Sequence, residues 1–143
     1  METALDALKN LHASLVDTRH GYEEACKDGP EPDLLPTLER MTVMHAAAAS
    51  QIAAMLAALG APADDQGSFM STVNRAVIGL RALITGLGEN ILPALASGEE
   101  VNIAKYDAVL ASAELGPSHR AVILAQRDAL ESAIARMKST AAT

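Results

Sequence analysis

The chain has few aromatic residues, one cysteine and little positive charge, and each shortage narrows the interpretation. Its 143 residues include two Tyr, one Phe and no Trp. Aliphatic side chains and Met must therefore fill the interior, a composition that favours helices. The single cysteine, Cys26, excludes an internal disulfide, and this usage indicates a reducing compartment.

Charge and hydropathy limit the partners that we expect. Eleven Lys and Arg residues against eighteen Asp and Glu residues give a formal net charge of −7. No short window concentrates basic side chains, so we expect neither nucleic acid nor an anionic membrane as a partner. Residues 1–15 lack the basic segment and the continuous apolar run of a secretion signal. No apolar run approaches the length of a membrane span, and we expect a cytoplasmic location.

Hydrophobic periodicity predicts long amphipathic helices. The first covers residues 3–27 and ends at the Asp-Gly-Pro sequence of residues 28–30, because glycine and proline stop helices. The second covers residues 34–59, with Asp33 as its N-cap, Pro36 in its first turn and Gly60 just past its end. The last covers residues 117–138, and residues 139–143 are expected to fray.

The third helix is predicted to be broken. Residues 68–85 place apolar side chains on one face, Gly86 and Gly88 interrupt them, and a further helix with Asn90 as its cap runs to residue 112. Four long helices without any alternating strand pattern predict an all-α fold, an antiparallel four-helix bundle with a long middle crossover. At this length we expect a single domain over residues 1–143.

His45 and Glu99 each lie at the centre of an otherwise mostly apolar helical stripe. The stripe around His45 comprises Leu38, Met41, Ala48, Ile52, Met55 and Leu59, and the one around Glu99 comprises Leu92, Leu95, Asn102, Tyr106 and Val109. Both side chains are therefore expected to point inward. Because a buried, unpaired carboxylate is costly, Glu99 must be neutralised, ion-paired, hydrated or bound to a metal.

Several segments carry a resemblance to a known family. Residues 98–106, with the sequence GEEVNIAKY, look like the segment of ferritin-like proteins in which a helix glutamate lies two turns ahead of a tyrosine. Together with DTRHGYEEA at residues 17–25, the Leu59-Gly60 helix end and the Gly67-Ser68 restart, they resemble a bacterial four-helix-bundle family of unknown function placed near rubrerythrins and bacterioferritins. The resemblance covers residues 5–138 and implies a ferritin-like fold.

Ferritin-like proteins with two metal ions use a Glu on each of two helices and a Glu-x-x-His motif on each of the other two. The resemblance places His45 at the histidine of the second helix and Glu99 at the glutamate of the third. Thr42 stands where that motif has its glutamate, and Leu15 stands where the first helix would supply a carboxylate. The last helix has Ile123, Gln126, Arg127 and Leu130 at its centre. We therefore expect no complete di-iron site.

Two interpretations of the inward residues remain. One is a buried polar cluster formed by His45, Glu99, Asn102, Tyr106 and Arg127. In it Arg127, Arg19 or His45 balances the Glu99 carboxylate, with Arg127 as the expected partner. The other is a reduced metal site that holds iron or manganese on His45 and Glu99, with water and Asn102 or Glu23 completing the shell. We expect the first interpretation and no cofactor.

The remaining titratable side chains are expected to have structural roles. His12, His20 and His119 fit ordinary, partly exposed positions. Asp17, His20 and Glu24 share one face of the first helix, which a solvated charged surface explains. Cys26 has no second cysteine to resolve it, so core packing explains it better than redox chemistry.

These patterns favour a non-catalytic role, in binding, structure or a stress response, over an enzyme. A metal-binding protein or oxidase with its site at His45 and Glu99 is the first alternative. A module whose groove binds a partner helix through Met41, Met44 and Ala48 is the second. The expected partner is an unknown protein or a second copy, since the small residues 46–49 allow close helix contact within the fold or in a homodimer.

Overall fold

The computed structural model describes residues 3–27, 32–61 and 91–142, and within these ranges it contains α-helices and no strand. The helices are α1 (Ala4–Lys27), α2 (Leu35–Ala58), α3 (Ile91–Leu110) and α4 (Pro117–Ala142). Helix α1 contacts α2 through Tyr22 and His45, and α3 packs against α4. The prediction of an all-α helical bundle is confirmed. The predicted helix over residues 68–85, its glycine interruption, the Asn90 cap and the middle crossover lie outside the described residues.

The chain divides into two compact units. The first, called here the α1–α2 unit, comprises His12–Gly88, in which α1 from residue 12 onward meets α2. The second, called the α3–α4 unit, comprises Met1–Leu11 and Glu89–Thr143, so that it holds the first turns of α1 together with α3 and α4. The single domain over residues 1–143 stays a prediction.

The start of α2 differs from the prediction. The helix has Leu34 as its N-cap residue and no side-chain cap. The carbonyl of Leu34 accepts hydrogen bonds from the N–H groups of Thr37 and Leu38, so the first turn closes one residue later than expected. The predicted cap by Asp33 is therefore wrong. Pro36 lies in the first turn, as predicted, where its missing N–H has no helical partner to lose.

The end of α2 matches the prediction. Gly60 has a φ of 79°, a left-handed conformation that glycine adopts without strain. The N–H of Gly60 donates to the Ala57 carbonyl, and the N–H of Ala61 donates to the Leu56 carbonyl, which satisfies the last carbonyls of the helix. Leu59 follows the last helical residue and is exposed, so it does not complete the stripe around His45 as expected.

Helix α2 is also the described helix that is long and apolar enough to cross a membrane by length and composition. The expectation that no apolar run approaches the length of a membrane span is therefore wrong for α2 by this criterion. Eight of its residues are buried within the fold, with His45 among them, and the core helix of a globular protein passes the same test. The cytoplasmic location stays a prediction.

Helices α3 and α4 form an antiparallel hairpin. Ion pairs join Glu100 to Lys138 and Asp107 to Arg127, so residue numbers rise along α3 as they fall along α4. The four apolar residues predicted to face inward on α4, which are Ile123, Leu130, Ile134 and Met137, are all buried. The helix continues to Ala142, and the predicted fraying from residue 139 is corrected.

Candidate functional site

A row of buried polar side chains follows one face of α3. Glu99, Asn102 and Tyr106 are separated by three and four residues, the spacing that puts side chains on one side of a helix. They are exposed to only 2%, 2% and 1%. The helical spacing therefore correctly predicted that these three side chains are buried, and they lie in the interior of the α3–α4 unit.

Hydrogen bonds engage this row. The Asn102 side-chain amide donates to Glu99 Oε1 over 2.7 Å. The Tyr106 hydroxyl donates to Gln126 Oε1 on α4 over 3.0 Å. The first bond gives the buried carboxylate a neutral donor one turn along its own helix, and the second ties α3 to α4. Buried polar groups with such partners avoid most of the cost of burial.

The row also fixes the protonation of Tyr106. Burial raises the pKa of its hydroxyl well above the ordinary value of 10.0, and the charge of the Glu99 carboxylate raises it further. Both causes disfavour a negative phenolate. At neutral pH Tyr106 is therefore a neutral donor, which suits its bond to Gln126 and does not suit a role as a general base.

Arg127 lies outside the buried row. Its Nε donates to Asp107 Oδ1 over 2.6 Å, and its Nη1 lies 3.0 Å from Glu131 Oε2. These two carboxylates, the hydrogen bond to Asp107 first, raise the pKa of the guanidinium. The structure thus does not bring Arg127 to Glu99 as expected. Gln126, one position earlier on α4, is the residue that meets the row.

The α1–α2 unit contains a second buried pair. The rings of Tyr22 and His45 stack with centroids 5.9 Å apart and an angle of 13° between their planes. Both side chains are almost fully buried. The stack joins α1 to α2, and offset aromatic pairs of this kind add stabilisation beyond the apolar area that they bury.

Next to this stack, Cys26 and Thr42 join the same two helices. Burial is the main cause that raises the pKa of the Cys26 thiol, the hydrogen bond to Thr42 opposes it, and the charges of Glu39 and Glu23 add to it. The Thr42 hydroxyl also donates to the carbonyl of Leu38 over 2.8 Å. A thiol held protonated in this way is a poor nucleophile, in line with the packing role expected for it.

Sequence reasoning missed two buried polar residues on α1, His12 and Asp17. The expectation that His12 is partly exposed, and that Asp17 belongs to a solvated face, is wrong because no residue from 11 to 26 is exposed. Polar positions in this stretch are therefore buried or half-buried rather than solvated. The signal was available, since no Lys, Arg or Glu occurs between Lys9 and Arg19, and these are the residues that mark an exposed face.

The residues present do not fit the two-metal centre of ferritin-like proteins. Leu15 is buried where a carboxylate ligand would be needed. Thr42 and Gln126 are engaged with a backbone carbonyl and with Tyr106 respectively. Within the described ranges, no group of three or more His, Cys, Asp and Glu side chains is placed to hold a metal ion. The reduced site on His45 and Glu99 stays a prediction.

The residues predicted to bind a partner helix do not form an exposed surface. Met41 and Ala48 are buried and Met44 is half-buried, because they belong to the inward side of α2. Ala48 and Ala49 likewise serve an internal contact. The large apolar side chains that are exposed within the described residues are Val43, Leu59, Val101 and Leu124.

Comparison with known proteins assigns the chain to a family and adds no activity. Neither the curated proteins nor the solved structures include a match to this chain. The family profile described as "Domain of unknown function (DUF2383)" matches residues 3–112. This match spans α1, α2 and α3, including Tyr22, His45 and the polar row on α3. The chain therefore belongs to the DUF2383 family.

Proposed function

We propose that this protein is a cytoplasmic, ferritin-like helical bundle that acts by binding, in a structural or stress-associated role, rather than by catalysis. The observation that carries this proposal is the hydrogen-bonded row on α3. Its carboxylate accepts from Asn102 and its phenol donates to Gln126. The bond from Tyr106 to Gln126 ties α3 to α4 and holds these helices in register, which supports a structural role for the row.

Two further observations support a binding role. The thiol of Cys26 is held protonated by burial, which argues against redox chemistry at this residue. The net charge of −7 disfavours nucleic acid and anionic membrane surfaces as partners. A protein partner or a second copy, as in a homodimer, remains the proposed macromolecular partner.

The alternative is a reduced metal site on His45 and Glu99, with iron or manganese as the cation. The burial of both side chains, to 1% and 2% exposure, favours it, because an uncharged interior strengthens binding of a cation to a carboxylate. Its ligand set is smaller than proteins normally use for these metals.

A metal titration separates these two functions. Purified wild-type protein and the variants Glu99→Gln and His45→Ala are titrated with Fe²⁺ without oxygen, and separately with Mn²⁺, and melting temperature and bound metal are measured. The binding role predicts less than a tenth of an equivalent of metal and no stabilisation of the wild type, as judged by mass action. One equivalent bound by the wild type and lost in both variants would establish the metal site instead.

A further inference from the structure

A groove opens in the α3–α4 unit between the first turns of α1 and the middle of α3. Its volume is about 360 Å³, within the range of about 300–1,000 Å³ typical of small-molecule sites. Its lining residues are Ala7, Asn10, Val101, Ala104, Lys105 and Ala108. All six belong to one unit and none belongs to the buried polar row.

The groove exists because the facing residues are small. Ala7 on α1 faces Ala104 and Ala108 on α3 across the space, so no long side chain fills it. On α3 the lining positions 101, 104, 105 and 108 share one face over about 10 Å, or two helical turns. Val101, which is 58% exposed, forms an apolar wall. The groove can therefore cover a short aliphatic chain lying along α3.

Lys105 is the charged residue of the groove lining. Within the described part of the chain, Lys27, Lys138 and Arg127 each pair with a carboxylate, whereas Lys105 forms no such pair. Among the described residues that line the groove, none is acidic. On a protein with a net charge of −7, this groove thus combines three alanines and a valine with an ammonium group available to an anion.

We propose that the groove binds a short aliphatic monocarboxylate, with its chain against the alanines and Val101 and its carboxylate on the Lys105 ammonium. Lys105 places one positive charge in the groove between α1 and α3, which matches a ligand with a single negative charge. A phosphate group would call for a helix N-terminus or several donors. This inference rests on the proposed binding function and names a ligand class for it.

The test is a titration of the complete chain with octanoate, followed by the shifts of backbone amide signals in NMR spectra. We expect saturable shifts confined to residues 7–10 and 101–108. Hexanoate, with two fewer methylenes, is expected to bind about tenfold more weakly. Octan-1-ol, which has the chain without the charge, is expected to bind more weakly than octanoate, and added salt weakens octanoate binding further.

Three variants make the test specific. Lys105→Gln removes the ammonium group and is expected to weaken octanoate binding about fivefold, the size of a partly exposed ion pair. Ala108→Leu fills the groove and is expected to abolish binding. Lys9→Gln is the matched control, because Lys9 is exposed in the same unit and does not line the groove. It is expected to leave the affinity unchanged.

The absence of saturable shifts in the wild type would overturn the inference, as would equal weakening by Lys9→Gln and Lys105→Gln. Binding of an acidic helical peptide at these residues without binding of octanoate would also overturn it, in favour of a protein partner. The inference fails separately from the proposed function. Stoichiometric metal on Glu99 would refute a purely binding role, yet Glu99 does not line the groove and the octanoate result would not change.

Discussion

The two units each bury one tyrosine, and they use it differently. Tyr22 and Tyr106 are among the largest fully buried side chains of the described residues. In the α1–α2 unit, Tyr22 presents its ring to His45. In the α3–α4 unit, Tyr106 donates its hydroxyl to Gln126 beside a buried carboxylate. The contact described for the first tyrosine is between ring faces, whereas the contacts described for the polar row join particular donors and acceptors. The second unit should therefore be the more sensitive to small chemical changes.

The largest expected effect concerns the property that the two tyrosines share, a large and fully buried ring. Tyr22→Ala and Tyr106→Ala each remove a large buried ring and should lower the free energy of unfolding by about 3–5 kcal/mol. Urea denaturation followed by circular dichroism measures it. Val43→Ala is the control, because Val43 is exposed on α2. A loss as small as the control's at either tyrosine would contradict its place in the core.

The next largest effect concerns the interactions in which the two tyrosines differ, the ring stack of Tyr22 and the polar row around Tyr106. Asn102→Asp replaces the donor of the 2.7 Å bond to Glu99 by a second carboxylate, and two like charges at this distance in a buried site repel each other. We expect a loss of about 2–3 kcal/mol at pH 7.

The counterpart in the α1–α2 unit is His45→Phe, which keeps an aromatic ring against Tyr22. Denaturation of both variants at several pH values compares them. If His45→Phe costs more than Asn102→Asp at pH 7, the distinction between a stack and a specific polar row is lost.

Alkaline pH probes the α3–α4 unit through Tyr106. The pKa of Tyr106 is raised above 10.0 in the folded state, so above that pH the unfolded chain loses the proton first. The stability that this group contributes is complete below pH 10 and falls as the pH rises further, by about 1.4 kcal/mol per pH unit.

Tyr106→Phe should flatten this alkaline slope by about one proton, at a cost of about 1 kcal/mol at pH 7 for the lost hydrogen bond. Urea midpoints between pH 9 and about 11.5 measure the slope. A slope unchanged by the substitution would show that Tyr106 is not the buried group that resists ionisation.

The smallest effect concerns Cys26. Because burial raises the pKa of its thiol, alkylation by iodoacetamide at pH 8 should be slower than in the urea-unfolded chain. Thr42→Val removes the hydrogen bond that lowers this pKa and should slow the reaction further, by less than about tenfold. Faster alkylation in Thr42→Val would show that the hydrogen bond shields the thiol rather than activates it.

Much of the helical framework could be predicted from the sequence. The periodic pattern predicted α2 as residues 34–59, and the helix is Leu35–Ala58. Spacing of three and four residues correctly predicted that His45, Glu99, Asn102 and Tyr106 are buried. These successes have one physical reason, which is that burial follows helical periodicity when one side of a helix is covered.

The partners of these residues could not be predicted in the same way. Gln126 and Arg127 are neighbours on α4, and a rotation of one residue decides which of them meets the row on α3. Hydrophobic periodicity predicts which side of a helix is apolar, but it does not fix the rotation of that helix to within one residue. The ion pair of Arg127 with Asp107 was therefore not predicted. His12 and Asp17 are buried in a stretch, residues 11–26, in which no residue is exposed. The sequence signal for this burial is the absence of Lys, Arg and Glu between Lys9 and Arg19.

The most direct test of the central claim, that protein groups rather than a metal satisfy Glu99, is anomalous diffraction from crystals grown with Mn²⁺. We predict no anomalous peak near Glu99 and an Asn102 amide in hydrogen-bond contact with the Glu99 carboxylate. A full-occupancy peak within about 2.3 Å of a Glu99 oxygen, the range of metal–carboxylate bonds, would contradict it.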